Sequence, residues 1–327
     1  MPEKTVIEAV RESMQIEMRR DDSMIILGED VGNRGGVFLA TDGLIDEFGE
    51  NRVIDTPLAE SSICGVALGA AVNGMRPLAE IQFADFVWPA INQLVGEASK
   101  VRYGTNGVKT APMTIRVPYG GGVRGGLYHS QSIEVLFAHT PGLSVVAPAT
   151  PYDAKGLLAT AIRTDDPVIV LEHKRTYRLV KGEVPDEEYT IPIGKAEIKR
   201  HGTDMTIITY GLMLHYSLQA AEMAAANGID VEVLDLRTLR PLDADAIAES
   251  ASRTGKALIV QEDTPAVSIG SEVSAIIGER CFFDLDGPIT RLGPPELPPM
   301  PFSPIQEAEF MPSPEKILAA ITKLAEI

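Results

Sequence analysis

The sequence predicts an α/β protein made of two doubly wound domains with largely parallel sheets. Short apolar runs alternate with helical patterns in two separate stretches of the chain, which is typical of parallel strands joined by helices. The length of 327 residues exceeds the roughly 250–300 residues at which a single hydrophobic core stops growing. We therefore expect a first domain over residues 1–180, a linker over 181–203 and a second domain over 204–327.

The first stretch begins with an amphipathic helix and continues with a series of strand candidates. The helix, Val6–Arg20, places Val6, Val10 and Met14 on one face and ends in two arginines, which suit the negative end of the helix dipole. The predicted strands are Met24–Leu27, Arg52–Asp55, Pro77–Phe83, Met113–Val117, Leu143–Ala147 and Val168–Glu172. Because helical patterns separate these runs, they fit one parallel sheet.

The second stretch repeats the alternation after the charged, proline-containing linker. Gly293–Pro304 contains six prolines in twelve residues, so it predicts an extended loop and excludes a helix or a central strand. Ser313, Pro314 and Glu315 supply an N-cap, a first-position proline and a first-turn acid, which together predict a final helix. The other predicted elements are the strands Met205–Tyr210, Val231–Leu236 and Ala257–Gln261 and the helices Leu214–Ala226 and Ala244–Thr254.

Composition narrows the classes of function. Hydrophobic residues make up 45% and charged residues 23%, as in ordinary globular proteins. No apolar run approaches the ~18 residues of a membrane helix and the first residues show no signal-peptide pattern, so we expect a cytoplasmic protein without a membrane partner. Cys64 and Cys281 lack the spacing of a metal site or a disulfide framework. The net charge of −17 disfavours a nucleic-acid partner.

Glu60 is the first candidate for chemistry because it lies where a predicted strand turns into a helix. Parallel α/β sheets bind their ligands at such strand ends. The helix that follows is rich in small residues, including Gly65, Ala67 and Gly69, which favours close packing against another domain or subunit. A purely structural role, in which Glu60 stabilises the positive end of the helix dipole, is the alternative at this point.

Two further segments carry candidate side chains. Gln82 and Phe86 lie at the end of the predicted strand 77–83, where Phe86 could stack on a flat ring or simply pack in the core. The glycine-rich segment 118–132 formally fits a dinucleotide fingerprint, but no helix follows directly and no acid lies about 20 residues further on, which argues against that interpretation. The segment predicts a flexible loop instead, with His129 as a reactive or an ordinary surface side chain.

Several motifs, in order and with family-like spacing, resemble the β subunit of 2-oxoacid dehydrogenase E1 enzymes. They are Leu27–Val31 (LGEDV), Gly35–Phe38 (GGVF), Thr56–Glu60 (TPLAE), Ala79–Phe86 (AEIQFADF), Tyr128–Ser132 (YHSQS), Tyr152–Leu158 (YDAKGLL) and Asp235–Leu242 (DLRTLRPL). The resemblance extends from about Val6 to the last helix. It implies a transketolase pyrimidine-type domain that binds thiamine diphosphate, followed by a transketolase C-terminal-type domain.

The resemblance also implies roles for individual residues. Glu60 is expected to hydrogen-bond a nitrogen of the pyrimidine ring of thiamine diphosphate and to share a proton with it. Leu58, Gln82 and Phe86 are expected to line the pyrimidine pocket. His129 is expected to assist the reductive acylation of the lipoyl group that the E2 acyltransferase carries.

A monovalent cation site, with K⁺ as the candidate ion, is implied by the same resemblance. Its ligands in the family are mostly backbone carbonyls, which tolerate Thr164 where an acid is often found. Ordinary turn structure around residues 164–167 is the alternative. The matching residues are Ala111, Met113, Thr114, Ala161, Thr164 and Asp166.

The chain lacks a motif that self-contained thiamine enzymes carry. No Gly-Asp-Gly occurs in its 327 residues, so the Mg²⁺ ion and the diphosphate must be held elsewhere. This implies an E1 α subunit in an α₂β₂ heterotetramer, with the lipoyl domain and core of E2 as further partners. A non-catalytic nucleotide-binding module and a structural assembly subunit are the alternatives from other classes, and copurification with an α chain bearing Gly-Asp-Gly separates them.

The same resemblance bears on the substrate. Segments 79–86 and 126–132 are more similar to the branched-chain 2-oxoacid version of the enzyme than to the pyruvate version. A branched-chain 2-oxoacid is therefore the expected substrate, with pyruvate and acetoin as the alternatives. The implied activity is that of an oxidoreductase, a 2-oxoacid dehydrogenase with a lipoyl-protein as acceptor.

Overall fold

The computed structural model describes residues 1–327 and divides the chain into two compact units. The first unit contains residues 1–119 and 136–193, and the second contains residues 120–135 and 194–327. Both units alternate helices with mostly parallel strands, which confirms the predicted α/β class. The sequence does not predict that residues 120–135, which include His129, belong to the second unit.

The first unit is built on a parallel sheet. Six of its strands lie in the spatial order β6, β7, β5, β4, β2, β3, while β1 and β8 pair with each other in antiparallel fashion. The start of the predicted linker, residues 181–183, is therefore a strand of the first unit. The strands are β1 (Glu3–Thr5), β2 (Met24–Gly28), β3 (Val53–Asp55), β4 (Arg76–Glu80), β5 (Thr114–Tyr119), β6 (Ser144–Val146), β7 (Val168–His173) and β8 (Lys181–Glu183).

The helices up to residue 193 are α1 (Val6–Arg20), α2 (Leu44–Phe48), α3 (Glu60–Val72), α4 (Val101–Gly104), α5 (Glu134–Ala138), α6 (Pro151–Arg163) and α7 (Thr176–Leu179). Helix α1 has the predicted bounds because Thr5 and Glu8 form a capping box at its start. Its predicted apolar face is buried and packs on α6. Helix α3 buries Ala67 within the first unit, whereas Val66 on its other face is 60% exposed.

The second unit contains a smaller sheet in the order β14, β13, β10, β11, β9, in which only β9 runs antiparallel to its neighbour. The strands of this sheet are β9 (Glu197–Arg200), β10 (Met205–Thr209), β11 (Val231–Asp235), β13 (Ala257–Val260) and β14 (Thr290–Leu292), and β12 (Thr238–Arg240) lies outside it. Its helices are α8 (Leu212–Ala225), α9 (Ala244–Thr254), α10 (Ile269–Arg280), α11 (Pro304–Phe310) and α12 (Pro314–Ala325).

The proline-rich segment has the predicted character. Residues 293–303 form neither helix nor strand, and α11 begins at Pro304. The hydroxyl of Ser313 accepts a hydrogen bond from the N–H of Lys316 at the start of α12, as the cap prediction requires. None of the helices has both the length and the apolar character needed to cross a bilayer.

A buried ion-pair network joins three strands of the first sheet. The Arg116 guanidinium donates to both carboxylate oxygens of Glu172 at 2.7 and 2.6 Å and to Glu80 at 2.5 Å. The Tyr177 hydroxyl donates to Glu172 at 2.6 Å. Burial opposes the charged form of Arg116, but the charges of Glu172 and Glu80 raise its pKa well above the ordinary value. The three charged side chains therefore satisfy one another inside the sheet.

Candidate active site

The carboxyl ends of three neighbouring strands meet at one edge of the first sheet. In the parallel register, Gly28 at the end of β2 lies opposite both Asp55 of β3 and Glu80 of β4. The residues that follow these strands are consequently brought to the same edge. This is the edge at which open parallel sheets bind their ligands.

Glu60 lies at this edge as the first residue of α3. Its side chain is 8% exposed, and no hydrogen bond or ion pair engages its carboxylate. Burial raises the pKa of neighbouring Cys64 to about 12, with a further contribution from the charge of Glu60, so this cysteine stays a thiol. A buried carboxylate without a partner is a group to which a ligand nitrogen can donate or with which it can share a proton.

The predicted pocket residues occupy different positions around this edge. The Gln82 amide donates to the backbone carbonyl of Glu29 at 3.3 Å, which connects the segments after β2 and β4. Phe86 lies in a 3₁₀ turn, Ala84–Phe86, and its ring is edge-on to Phe83 with 5.5 Å between centroids. Leu58 is 69% exposed. The side chains of Gln82 and Phe86 are therefore held by contacts within the first unit, whereas the side chain of Leu58 is exposed.

Glu29 is a candidate site residue that the sequence prediction missed. Burial raises the pKa of its carboxyl, and the negative charges of Asp30 and Glu60 add to the effect. The segment is fixed by Asp55, whose carboxylate accepts from the N–H of Gly32 at 2.6 Å. The sequence could have indicated Glu29, because this residue directly follows the buried strand β2, at the strand end where the other candidates were sought.

His129 belongs to the second unit, in the segment 120–132, which we call the glycine loop. The side chain of His129 is half-buried and that of the following residue, Ser130, is fully buried. Gly125 lies so close to the His129 carbonyl that an added β-carbon would be 2.5 Å from its oxygen. The absence of a side chain at Gly125 thus permits the turn that presents His129.

The amides of the glycine loop are capped by carboxylates of the same unit. Gly121 donates to Glu262 at 2.6 Å, and Gly122 and Arg124 donate to Glu307 at 3.0 and 3.1 Å. A dinucleotide-binding loop would offer such N–H groups to a pyrophosphate. The chain's own glutamates take that place, which agrees with the rejection of the dinucleotide interpretation.

The predicted cation ligands lie on β5, just before it, and around the end of α6. Ala111, Met113, Thr114 and Ala161 are buried. The Arg76 guanidinium donates to the Thr164 carbonyl at 3.1 Å. The Asp166 carboxylate pairs with Arg102 at 2.7 Å. No cluster of three or more His, Cys, Asp or Glu side chains suited to a metal ion occurs in the chain, so a cation here would depend on backbone carbonyls.

The two units of the fold correspond to known domain families. The family described as "Transketolase, pyrimidine binding domain" matches residues 3–180, and "Transketolase, C-terminal domain" matches residues 194–317. A solved structure, "Split gene transketolase, inactive beta4 tetramer", superposes with a TM-score of 0.79 at 22% identity, covering 98% of both chains. The chain therefore has a transketolase-type fold.

Comparison with curated sequences gives a narrower assignment. The chain is 58% identical over 320 residues to the 2-oxoisovalerate dehydrogenase subunit beta of Bacillus subtilis (strain 168), covering 98% of both chains. It is 48% identical over 326 residues to the pyruvate dehydrogenase E1 component subunit beta of the same strain, covering 100% of both. The chain belongs to the family of 2-oxoacid dehydrogenase E1 β subunits, as its motifs predict.

Proposed function

We propose that this chain is the β subunit of a thiamine-diphosphate-dependent E1 that decarboxylates a branched-chain 2-oxoacid and reductively acylates the lipoyl group of E2. The observation that carries the proposal is the difference in similarity to two relatives from one organism. Identity is 58% to the 2-oxoisovalerate subunit and 48% to the pyruvate subunit, each over nearly the whole chain.

The proposed role of Glu60 follows from its environment. Thiamine diphosphate, when bound, supplies an electron sink for the carbanion left by decarboxylation. Glu60 would hold and return a proton at the pyrimidine ring nitrogen, and its lack of a protein partner leaves the carboxylate available for this task. Gln82 and Phe86 would orient the pyrimidine, Phe86 by stacking, and Leu58 would cover the pocket from the exposed side.

His129 is assigned to a later step. An imidazole can donate a proton or orient a reacting group near neutral pH, which suits transfer of the acyl group to a lipoyl sulfur. Its position on the glycine loop, and not on a strand end, agrees with contact with a large carrier that arrives from solution. We therefore separate the two residues by step: Glu60 for cofactor activation and His129 for acyl transfer.

The proposed assembly follows from a motif that the chain lacks. It has no Gly-Asp-Gly, so the Mg²⁺ and diphosphate ligands are assigned to an E1 α subunit in an α₂β₂ heterotetramer that presents the site to E2. K⁺ is proposed at a site held mostly by backbone carbonyls, with Ala111, Met113, Thr114, Ala161, Thr164 and Asp166 as its residues. The domain limits 1–180 and 204–327 remain our assignment for the two functional modules, with residues 181–203 between them.

The test uses the chain alone and coproduced with an α subunit that bears Gly-Asp-Gly. Decarboxylation linked to an artificial electron acceptor is measured with 2-oxoisovalerate and pyruvate, and acetoin is assayed in parallel. We expect no turnover by the isolated chain, and a kcat/KM of the pair at least ~10-fold higher for 2-oxoisovalerate than for pyruvate.

Three other results would change the proposed function in different ways. A preference for pyruvate or acetoin would keep the E1 β role and replace the substrate. Turnover by the isolated chain at the rate of the pair would contradict a shared site. Failure to associate with any such α chain would favour a nucleotide-binding module or an assembly subunit.

A further inference from the structure

Two buried glutamates hold the glycine loop from distant parts of the second unit. Glu262 follows strand β13 and Glu307 lies on α11, and their side chains are 5% and 6% exposed. One oxygen of Glu307 accepts from the amides of both Gly122 and Arg124, while Glu262 accepts from the amide of Gly121 at 2.6 Å. Hydrogen bonds to an ionised acceptor are stronger than neutral ones.

The backbone of the loop is shaped for these carboxylates. Gly122 has φ +74° and Arg124 has φ +60°, so both lie in the left-handed region. This region is costly for arginine, and a non-glycine residue keeps it only where surrounding contacts fix it. In this backbone the amides of Gly122 and Arg124, two residues apart, both point at one oxygen of the Glu307 carboxylate.

The other side of the loop is packed against the proline-rich segment. An added β-carbon at Gly126 would be 2.8 Å from the Phe302 ring, and one at Gly121 would be 2.5 Å from the methyl carbon of Met300. The same segment leads directly into α11 and Glu307. The proline-rich segment thus covers the loop, and the helix that follows it supplies the carboxylate that holds the loop a few residues before His129.

We infer that Glu307, assisted by Glu262, is a positioning residue for His129. Its carboxylate fixes the backbone of the glycine loop, and the loop in turn fixes the imidazole for acyl transfer to the lipoyl group; this inference rests on the proposed function. Neither glutamate touches substrate in this scheme. Weakening the carboxylate contacts loosens the loop and slows acyl transfer, while the cofactor chemistry assigned to Glu60 continues.

The first experiment measures the loop itself, in the full chain coproduced with its α subunit. Hydrogen exchange by mass spectrometry follows a peptide containing residues 120–126 in Glu307→Leu, Glu307→Gln and the control Glu309→Leu. Glu309 is an exposed glutamate on the same helix, so its replacement removes the same charge without touching the loop.

We expect exchange at the Gly122 and Arg124 amides to be at least ~10-fold faster in Glu307→Leu than in wild type, because both lose the hydrogen bond to the Glu307 carboxylate. In Glu307→Gln, which keeps a neutral acceptor oxygen, the increase should be smaller, roughly 3-fold. The control should match wild type. Should Glu307→Leu fail to fold, the glutamine variant still decides: unchanged exchange in that variant overturns the inference.

The second experiment separates the two reactions in the same complexes. A merely structural role for Glu307 would lower both reactions together, through loss of folded enzyme. Positioning predicts that Glu307→Leu lowers kcat for acylation of a free lipoyl domain by ~10-fold or more, with acceptor-linked decarboxylation within about 2-fold of wild type. Glu307→Gln should restore most of the acylation rate. A loosened loop with normal acylation would overturn the positioning role.

The variant His129→Ala, measured in parallel, separates this inference from the proposed function. If His129→Ala leaves lipoyl acylation unchanged, the acyl-transfer role of His129 is wrong and the positioning role of Glu307 is overturned with it. If His129→Ala slows acylation and Glu307→Leu does not, the proposed function stands and only the inference about Glu307 is lost.

Discussion

Glu60 and His129 are presented by two different kinds of structure. Glu60 is the first residue of a helix that follows a parallel strand, and the register of three strands sets its position. His129 lies on a glycine loop whose backbone is held by carboxylates 141 and 185 residues away in sequence. The first position is set by regular secondary structure, and the second by a few long-range hydrogen bonds.

The two sites should therefore respond differently to substitutions around them. A strand end cannot move without disturbing the sheet, so the environment of Glu60 should be lost only together with the fold of the first unit. The glycine loop belongs to no sheet, so it can open locally once its contacts with Glu262, Glu307 and the proline-rich segment are weakened. The functional effects of substitutions near His129 should therefore separate from effects on stability more readily than those near Glu60.

The largest expected effect is that of Glu60→Gln. The amide cannot shuttle a proton, so acceptor-linked decarboxylation and lipoyl acylation should both fall by about 10²–10⁴-fold. Exchange of the C2 proton of the cofactor, followed by NMR, should slow in parallel. Asp46→Asn is the control, because Asp46 is an exposed acid in the first turn of another helix. Wild-type proton exchange in Glu60→Gln would exclude the assigned role.

Arg116→Met tests how much the buried ion-pair network contributes to the stability of the first unit. The substitution leaves Glu80 and Glu172 buried without their counter-charge and should reduce the free energy of unfolding by about 3–5 kcal/mol. Urea denaturation followed by circular dichroism measures the change. The control Arg102→Met removes the partially exposed pair with Asp166 and should change stability little. Equal effects of the two substitutions would contradict a special contribution of the buried network.

His129→Ala tests whether the residue on the glycine loop acts in a different step from Glu60. Lipoyl acylation should fall by ~10²-fold, the lower end of the range for a proton-transferring group, while acceptor-linked decarboxylation stays near wild type. Single-turnover acylation of a free lipoyl domain measures the first quantity. Parallel losses in both assays would place His129 in the same step as Glu60 and would remove the contrast between the two regions.

The smallest effect, counted per pH unit, is expected for Glu134, an acid beside the loop. Burial, with a further contribution from the charge of Asp263, raises the pKa of Glu134 to about 8, although the hydrogen bond from Tyr210 opposes this. The folded chain therefore retains a proton that the unfolded chain releases above the ordinary pKa of 4.5. Stability from this group is fully present below pH 4.5 and is lost as the pH rises towards 8.

Glu134→Gln should remove this pH dependence. Relative to wild type, the variant should gain stability steadily between pH 5 and 8, by roughly 1 kcal/mol for each pH unit. Thermal unfolding of both proteins across this range measures the difference, with Glu309→Gln as the exposed control. A Tm difference that does not vary with pH would show that Glu134 is ionised in the folded chain.

Much of the fold could be predicted because it depends on local patterns. The buried strands and the helices α1 and α9 follow from apolar periodicity and caps, and their bounds agree with the prediction within a few residues. The third predicted strand ends at Glu80, three residues early, because Glu80 is the last residue that pairs with β2 and Ala84–Phe86 turns into a 3₁₀ helix. The short edge strands β9 and β14 carry too few apolar residues to be predicted.

The α/β class, the family and the position of Glu60 after a strand could be recognised from the sequence, because each depends on residues near one another in the chain or on the order of its motifs. Tertiary structure decided that the glycine loop belongs to the second unit and that Glu262 and Glu307 hold it. No periodicity relates a loop amide to a carboxylate 185 residues further on. Such a contact exists only once both segments have folded around the same core, so its members cannot be recognised before the fold is known.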